Sequence, residues 1–204
     1  MKYLPWALGS VAGLMLQLST ASAIPITFTA NLSGANEVPA VVSPGTGLAT
    51  VILDPTAQTL QVNATFSGLT SNTVASHIHC CAPLGTNAGV ATTVPAFLGF
   101  PLGVTSGNYV SAVFDLTQSP IYNPAFVTLQ GGLPQAEAAL IAGIENGQTY
   151  FNIHTTVNPG GEIRGQLLQA AAIPEPASLV LLGSAVLGFF LLGRRRKPMA
   201  PTAG

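Results

Sequence analysis

Apolar and polar residues alternate through residues 26–33 (Ile-Thr-Phe-Thr-Ala-Asn-Leu-Ser), the period-two pattern of a half-buried strand. Comparable runs follow at 47–53 and 59–66, joined by Asp-Pro-Thr-Ala-Gln at 54–58, which is turn chemistry. Further runs at 74–80, 109–116, 149–156 and 163–168 bring the expected number of strands to about seven. Clusters of Gly, Pro and Asn separate them, notably across 83–107 and 157–161. One segment, 134–144, is helical in pattern: Pro at the start, Ala, Glu and Leu inside, and Asn146-Gly147 as a stop. Short strands with regular turn signals and one short inserted helix predict an all-β fold. The expected architecture is an antiparallel Greek-key-type β-sandwich, with a closed barrel as the alternative.

Both ends depart from this pattern. Lys2 precedes an apolar run over 4–18, and Ala21-Ser22-Ala23 supplies the small residues a signal peptidase requires. This predicts a signal peptide over 1–23, cleaved after Ala23. A retained membrane helix is the alternative, against which Pro5 and the polar Gln17, Ser19 and Thr20 argue. At the other end, Pro174-Glu175-Pro176 is followed by 177–193 without a charge, then by Arg194-Arg195-Arg196-Lys197. As a helix the uncharged run is about 26 Å long. That is near the shortest stretch able to cross a hydrocarbon core of about 30 Å. The prolines keep the preceding segment extended. The four cations favour a cytoplasmic end, making 198–204 a cytoplasmic tail. A buried helix of a soluble domain is the alternative, but a cationic cluster directly behind it has no place in a core.

The order of these three C-terminal parts, spanning 174–197, resembles the PEP-CTERM sorting signal of exopolysaccharide-producing Gram-negative bacteria. The resemblance implies recognition by an exosortase and cleavage near Pro174-Glu175-Pro176, with the body released or transferred to the cell surface. The implied partners are signal peptidase, exosortase and, transiently, the inner membrane. The domain would lie in the periplasm as an anchored precursor and then at the cell surface or in the extracellular matrix.

The two apolar ends inflate the mean hydropathy of +0.50. Residues 24–170 are expected to form one domain. Its acids are Glu37, Asp54, Asp115, Glu137, Glu145 and Glu162, and its one base is Arg164. A net charge of about −5 makes nucleic acid and anionic lipid poor partners, and a single cation cannot cradle phosphates.

Three blocks carry a second resemblance. They are Leu-Ser-Gly-Ala-Asn-Glu-Val-Pro at 32–39, Ala-Ser-His-Ile-His at 75–79, and Tyr-Phe-Asn-Ile-His-Thr at 150–155 with Gly-Glu-Ile-Arg-Gly-Gln at 161–166. In order and spacing they are similar to the CHRD (chordin-like) domain, over nearly the whole mature chain. The resemblance implies an extracellular β-sandwich whose molecular role is poorly defined. Cys80-Cys81 stands where that family usually has glycine-rich sequence after His-x-His.

Alternation places the polar residues. His77 and His79 oppose Ile78; Asn152 and His154 oppose Phe151 and Ile153; Glu162, Arg164 and Gln166 oppose Ile163 and Leu167. The three histidines of the chain therefore share one polar surface with Glu162 and Arg164 if their strands are neighbours. Strands 150–156 and 163–168 are expected to pair as a hairpin. Three readings fit that surface. One is a metal site of His77, His79, His154 and Cys81, whose imidazole and thiolate suit zinc or copper. Another is a structural hydrogen-bonded cluster with Asn152, Glu162 and Arg164, and the third is ligand contact without metal. Cys80 and Cys81, the only cysteines of an exported chain, can form a vicinal disulfide. Two free thiols, a thiolate metal ligand and an intermolecular bridge are the alternatives.

No charged constellation for acid–base or nucleophilic work is visible, and no cofactor is required. The leading expectation is a non-enzymatic, surface-sorted binding or matrix protein, with extracellular polysaccharide or other surface proteins as partners. The alternative is a metal-binding redox protein using copper or zinc, since a sandwich carrying His-x-His is similar at fold level to copper–zinc superoxide dismutase. A purely structural domain of the biofilm matrix is the third.

Overall fold

The computed structural model describes residues 24–171. The segments read as signal peptide (1–23) and sorting tail (174–197, with its helix 177–193 and the tail 198–204) lie outside the described residues. Among the described residues no helix is long and apolar enough to cross a membrane.

Ten strands form one curled, antiparallel, sandwich-like sheet. They are β1 (Ile26–Ser33), β2 (Thr46–Asp54), β3 (Thr59–Ser67), β4 (Thr73–Cys80) and β5 (Gly89–Val90). Then follow β6 (Gly107–Val110), β7 (Phe114–Asp115), β8 (Thr149–Thr155), β9 (Ile163–Gln166) and β10 (Leu168–Gln169). Two helices, α1 (Pro124–Gln130) and α2 (Leu133–Glu145), fill the connection between β7 and β8. The spatial order is β5-β4-β8-β9-β1-β2-β3-β6, with β10 pairing β1 and β7 pairing β3. The run β9-β1-β2-β3 places a late strand beside the first of a meander, as a Greek key does.

The long early strands obey their alternation. Phe28, Ala30 and Leu32 of β1, Ala49, Val51 and Leu53 of β2, and Leu60, Val62, Ala64 and Phe66 of β3 are buried, with more exposed residues between them. Their ladder is continuous from Ile26↔Leu53 to Ser33↔Thr46 and from Thr46↔Ser67 to Asp54↔Thr59. The core continues through Ile78, Phe97, Phe100, Phe151, Ile153 and Ile163.

The strand and helix numbers differ from expectation. The run expected as one strand over 109–116 is two, because Asn63 faces Val110 whereas Leu60 faces Phe114. One extra residue therefore lies on the second strand, a bulge at which Val62 N–H donates to Ser111 Oγ at 2.9 Å. Phe114 is consequently only half-buried. The second helix, α1, is seven residues long, shorter than the usual lower limit. Its signals are nonetheless ordinary. Asn123 caps it by accepting from Ala125 N–H at 3.0 Å, Pro124 opens it, and Gly131 closes it at φ 89°. Helix α2 buries Ala136, Leu140, Gly143 and Ile144 and packs on β4, β8 and β10.

Candidate functional site

Strands β4, β8 and β9 are neighbours, and their register sets the site. His77 faces Asn152, His79 faces Tyr150, and Ala75 faces His154 across β4 and β8. Asn152 faces Arg164 and Tyr150 faces Gln166 across β8 and β9. Side chains alternate along each strand. The sequence spacing thus delivers His77, His79, Tyr150, Asn152, His154 and Arg164 to one face.

That face is not a surface. Every residue of β8 is buried, and His77, His79 and His154 are each more than nine-tenths buried. Two loops cover it, 34–42 and 81–88. Arg164 holds both: its Nε–H donates to Asn36 O at 2.6 Å and its Nη1–H to Asn87 Oδ1 at 2.7 Å. Asn87 Nδ2–H in turn donates to Val38 O at 2.8 Å, tying one loop to the other. The guanidinium lies 4.4 Å above the Tyr150 ring, and Tyr150 stacks on His79 at 4.6 Å with the planes 9° apart.

The histidines converge. One ring nitrogen from each lies within 4.8 Å of the other two, and His77 Nδ1 is 3.1 Å from His154 Nε2. The outward nitrogens meet backbone carbonyls: His79 Nδ1 is 2.9 Å from Ala88 O, and His154 Nδ1 is 3.0 Å from Pro159 O. Burial is the first cause that pushes the His77 imidazole down to about 3, followed by the neighbouring His154 and His79. Burial likewise takes His79 to about 4 despite its bond to Ala88, and lowers His154 despite Pro159. All three rings are therefore neutral at neutral pH.

Beside them Asn152 Nδ2–H donates to Glu37 Oε1 at 2.7 Å, while Asn152 Oδ1 has no partner. Burial raises the Glu37 carboxyl from 4.5 to about 7, although Arg164 and Asn152 pull the other way. Gly161, at φ 128°, leaves the room: a Cβ there would come within 2.6 Å of Asn152 Nδ2 and 2.7 Å of Glu37 Oε1.

Two expected members stand elsewhere. Glu162 is fully buried but turns away from the cluster. Its carboxylate accepts from Ser43 Oγ at 2.6 Å, Thr70 N–H at 2.7 Å, Thr70 Oγ1 at 2.9 Å and Thr155 Oγ1 at 2.6 Å. Thr155 follows His154 and so points to the opposite face of β8. Burial works against ionisation of Glu162, but these hydrogen bonds outweigh it and hold the carboxyl below its usual value. The expected grouping of Asn152, Glu162 and Arg164 is thus three separate networks. Cys81 also leaves the metal-ligand set: it is disulfide-bonded to Cys80, and both sulfurs lie against Ala139 O of α2. β4 ends at Cys80, so the alternation that would place Cys81 beside His79 stops one residue short.

A model of the CHRD domain matches residues 28–167, and one of the PEP-CTERM protein-sorting motif matches 172–197. The chain belongs to the CHRD-domain family. No curated protein and no solved structure matches it. In this CHRD domain the blocks that carry the resemblance, 32–39, 75–79 and 150–166, are those that build and cover the histidine face. Sequence reasoning left out Glu37, Asn87 and Tyr150 from the site. Tyr150 was within reach, since it alternates with Asn152 and His154. Glu37 and Asn87 arrive on loops, whose paths no periodicity encodes.

Proposed function

We propose that this CHRD protein is exported, sorted to the cell surface through its C-terminal motif, and acts there as a non-enzymatic binding protein in the matrix of an exopolysaccharide-producing Gram-negative bacterium. The observation that carries the reading is the sorting motif at 172–197, directly behind a domain that occupies 28–167. Such a motif is the recognition signal of an exosortase, so the body is what reaches the surface.

A groove of about 480 Å³ supports the binding role. Asn36, Glu37, Arg164 and Gln166 give it polar walls, and Leu84 and Leu168 give it apolar ones. Its size falls in the ordinary range for small-ligand sites, and the mixed lining suits the hydroxyls and ring faces of one or two sugar units.

The test has two arms. In an exosortase-bearing host, intact-mass measurement of the surface form is expected to show a start at Ile24 and loss of Arg194-Arg195-Arg196-Lys197. A surface form still ending at Gly204 overturns the sorting. For binding, immobilised host exopolysaccharide should retain the wild-type protein, and Leu84→Ala should weaken retention without changing the fold, since Leu84 is 73% exposed. Equal retention of both, or none, overturns the groove as the binding site.

A further inference from the structure

The tautomers of His79 and His154 can be assigned from their outer contacts. A carbonyl oxygen only accepts, so His79 Nδ1 must carry the proton that meets Ala88 O, and His154 Nδ1 the proton that meets Pro159 O. The His77 proton can sit on either nitrogen: on Nδ1, toward the His154 lone pair, when no metal is bound, or on Nε2 when Nδ1 is a ligand. One nitrogen of each ring is thus turned inward, and on His79 and His154 it is a lone pair. His77 Nδ1 lies 3.1 Å from His154 Nε2 and donates to it in the metal-free cluster, while His79 Nε2 is buried without any partner. A structural cluster of neutral rings leaves His79 Nε2 unsatisfied, which folded proteins avoid, and satisfies His77 and His154 there only through each other.

We propose that His77 Nδ1, His79 Nε2 and His154 Nε2 bind one divalent transition-metal ion, Zn²⁺ or Cu²⁺, with a fourth position open to water or a small exogenous ligand. One cation satisfies His79 Nε2 and His154 Nε2 at once, and a shift of the His77 proton from Nδ1 to Nε2 frees the third lone pair. Two nitrogens each about 2.0–2.1 Å from one ion at a tetrahedral angle lie about 3.3 Å apart. The 3.1 Å pair is already near that spacing, and His79 closes the set by a small swing. The carbonyls of Ala88 and Pro159 do what outer-shell acceptors do for metal-bound histidines: they fix the tautomer and the ring plane of His79 and His154. Tyr150 braces His79 from its flat side and also donates its O–H to Ala88 O at 3.3 Å. Neutral imidazoles suit zinc and copper above calcium or magnesium, which prefer oxygen. The proposal is independent of sorting and of glycan binding, and assigns no catalytic turnover.

The experiment uses the full-length chain in detergent, stripped of metal and titrated with Zn²⁺ alone and Cu²⁺ alone at neutral pH. One equivalent of each should bind, copper more tightly than zinc. The electron paramagnetic resonance spectrum of the copper form should show superhyperfine coupling to three nitrogens. His79→Gln and His154→Gln should each weaken binding by more than about 100-fold, beyond what an outer-shell change causes. Wild-type protein that binds neither ion more tightly than about 10 µM overturns the proposal. So does binding that survives both substitutions, or a spectrum with fewer than three coupled nitrogens. Should either variant fail to fold, the wild-type stoichiometry and spectrum decide alone.

Discussion

Arg164→Lys separates two ways in which the one cation of the described domain can act. Arg164 is 4% exposed, and its two hydrogen bonds run to a backbone carbonyl and an amide oxygen rather than to a carboxylate. Charge alone is therefore not what holds it. Hydrogen bonds with one charged partner contribute about 1.5–3 kcal/mol each. A lysine ammonium is a point donor on a flexible stem and cannot span Asn36 O, Asn87 Oδ1 and the Tyr150 face in one geometry. It keeps one bond at most, so Arg164→Lys should destabilise by about 1.5–3 kcal/mol. Arg164→Ala loses both bonds and the stack over Tyr150, which adds about 1 kcal/mol or more. For a domain of this size that places the lysine variant about 3–12 °C lower in melting temperature. Hydrogen exchange should show the loss at 36–38 and 87–88, the two loops the guanidinium joins. If Arg164→Lys melts with wild type and both loops stay protected, the fork is not what closes the cover. A role of its positive charge alone, felt by Glu37 and kept by lysine, then describes the residue better.

The histidines and Glu37 make opposite contributions with pH. Imidazoles held at about 3 and about 4 when folded, against 6.5 when unfolded, take up protons on unfolding, so metal-free protein should lose stability as pH falls below about 6.5. Melts that are flat from pH 6.5 to 4 would show that the rings are not held neutral. Glu37, raised to about 7, is most favourable below 4.5 and loses stability as pH rises toward 7, so Glu37→Gln should improve the melt at neutral pH relative to its effect at pH 4.5. Gly143→Ala should destabilise by about 1–3 kcal/mol, because the added Cβ would meet Cys80 Sγ at 2.5 Å and Cys81 Sγ at 2.9 Å. Helix propensity alone would make the same change stabilising by about 1 kcal/mol, so the sign of the shift in a urea melt decides. Phe151→Ala should cost about 3–5 kcal/mol, since Phe151 is fully buried against Phe97 and Phe100, and a loss under about 1 kcal/mol would show its face to be misplaced.

The sheet was legible where one side of a strand faces core and the other faces water. Strands β1, β2 and β3 alternate cleanly, and their expected limits agree with the observed ones to within a residue. Legibility fell where that condition failed. The bulge at Ser111 rests on a side-chain hydroxyl standing in for a backbone carbonyl, a substitution that any serine in a polar stretch can make. Strands β5 and β10 have two residues each, too short to carry a period. Helix α1 had its cap, its opening proline and its closing glycine in plain view, but seven residues, just under two turns, give no periodicity to support them.

The site divides along the same physical line. Strand alternation alone puts His77, His79, Asn152, His154 and Arg164 on one face, and adjacency of β4, β8 and β9 follows from their order in the sheet. Alternation says nothing about whether a polar face meets water. Here it does not, because Arg164 draws 34–42 and 81–88 together over it, and because Asn87 links Val38 to the same closure. Glu162 shows the converse. Its position beside Arg164 suggested a shared network, yet Gly161 at φ 128° breaks the strand just before it. Four hydrogen bonds from Ser43, Thr70 and Thr155 then take the carboxylate to the other side of the sheet. A strand pattern thus fixes which residues meet; glycine turns and loop closures fix the dielectric they meet in. That dielectric makes three histidines that would titrate ordinarily on a surface into three neutral rings whose nitrogens converge within 4.8 Å of one another.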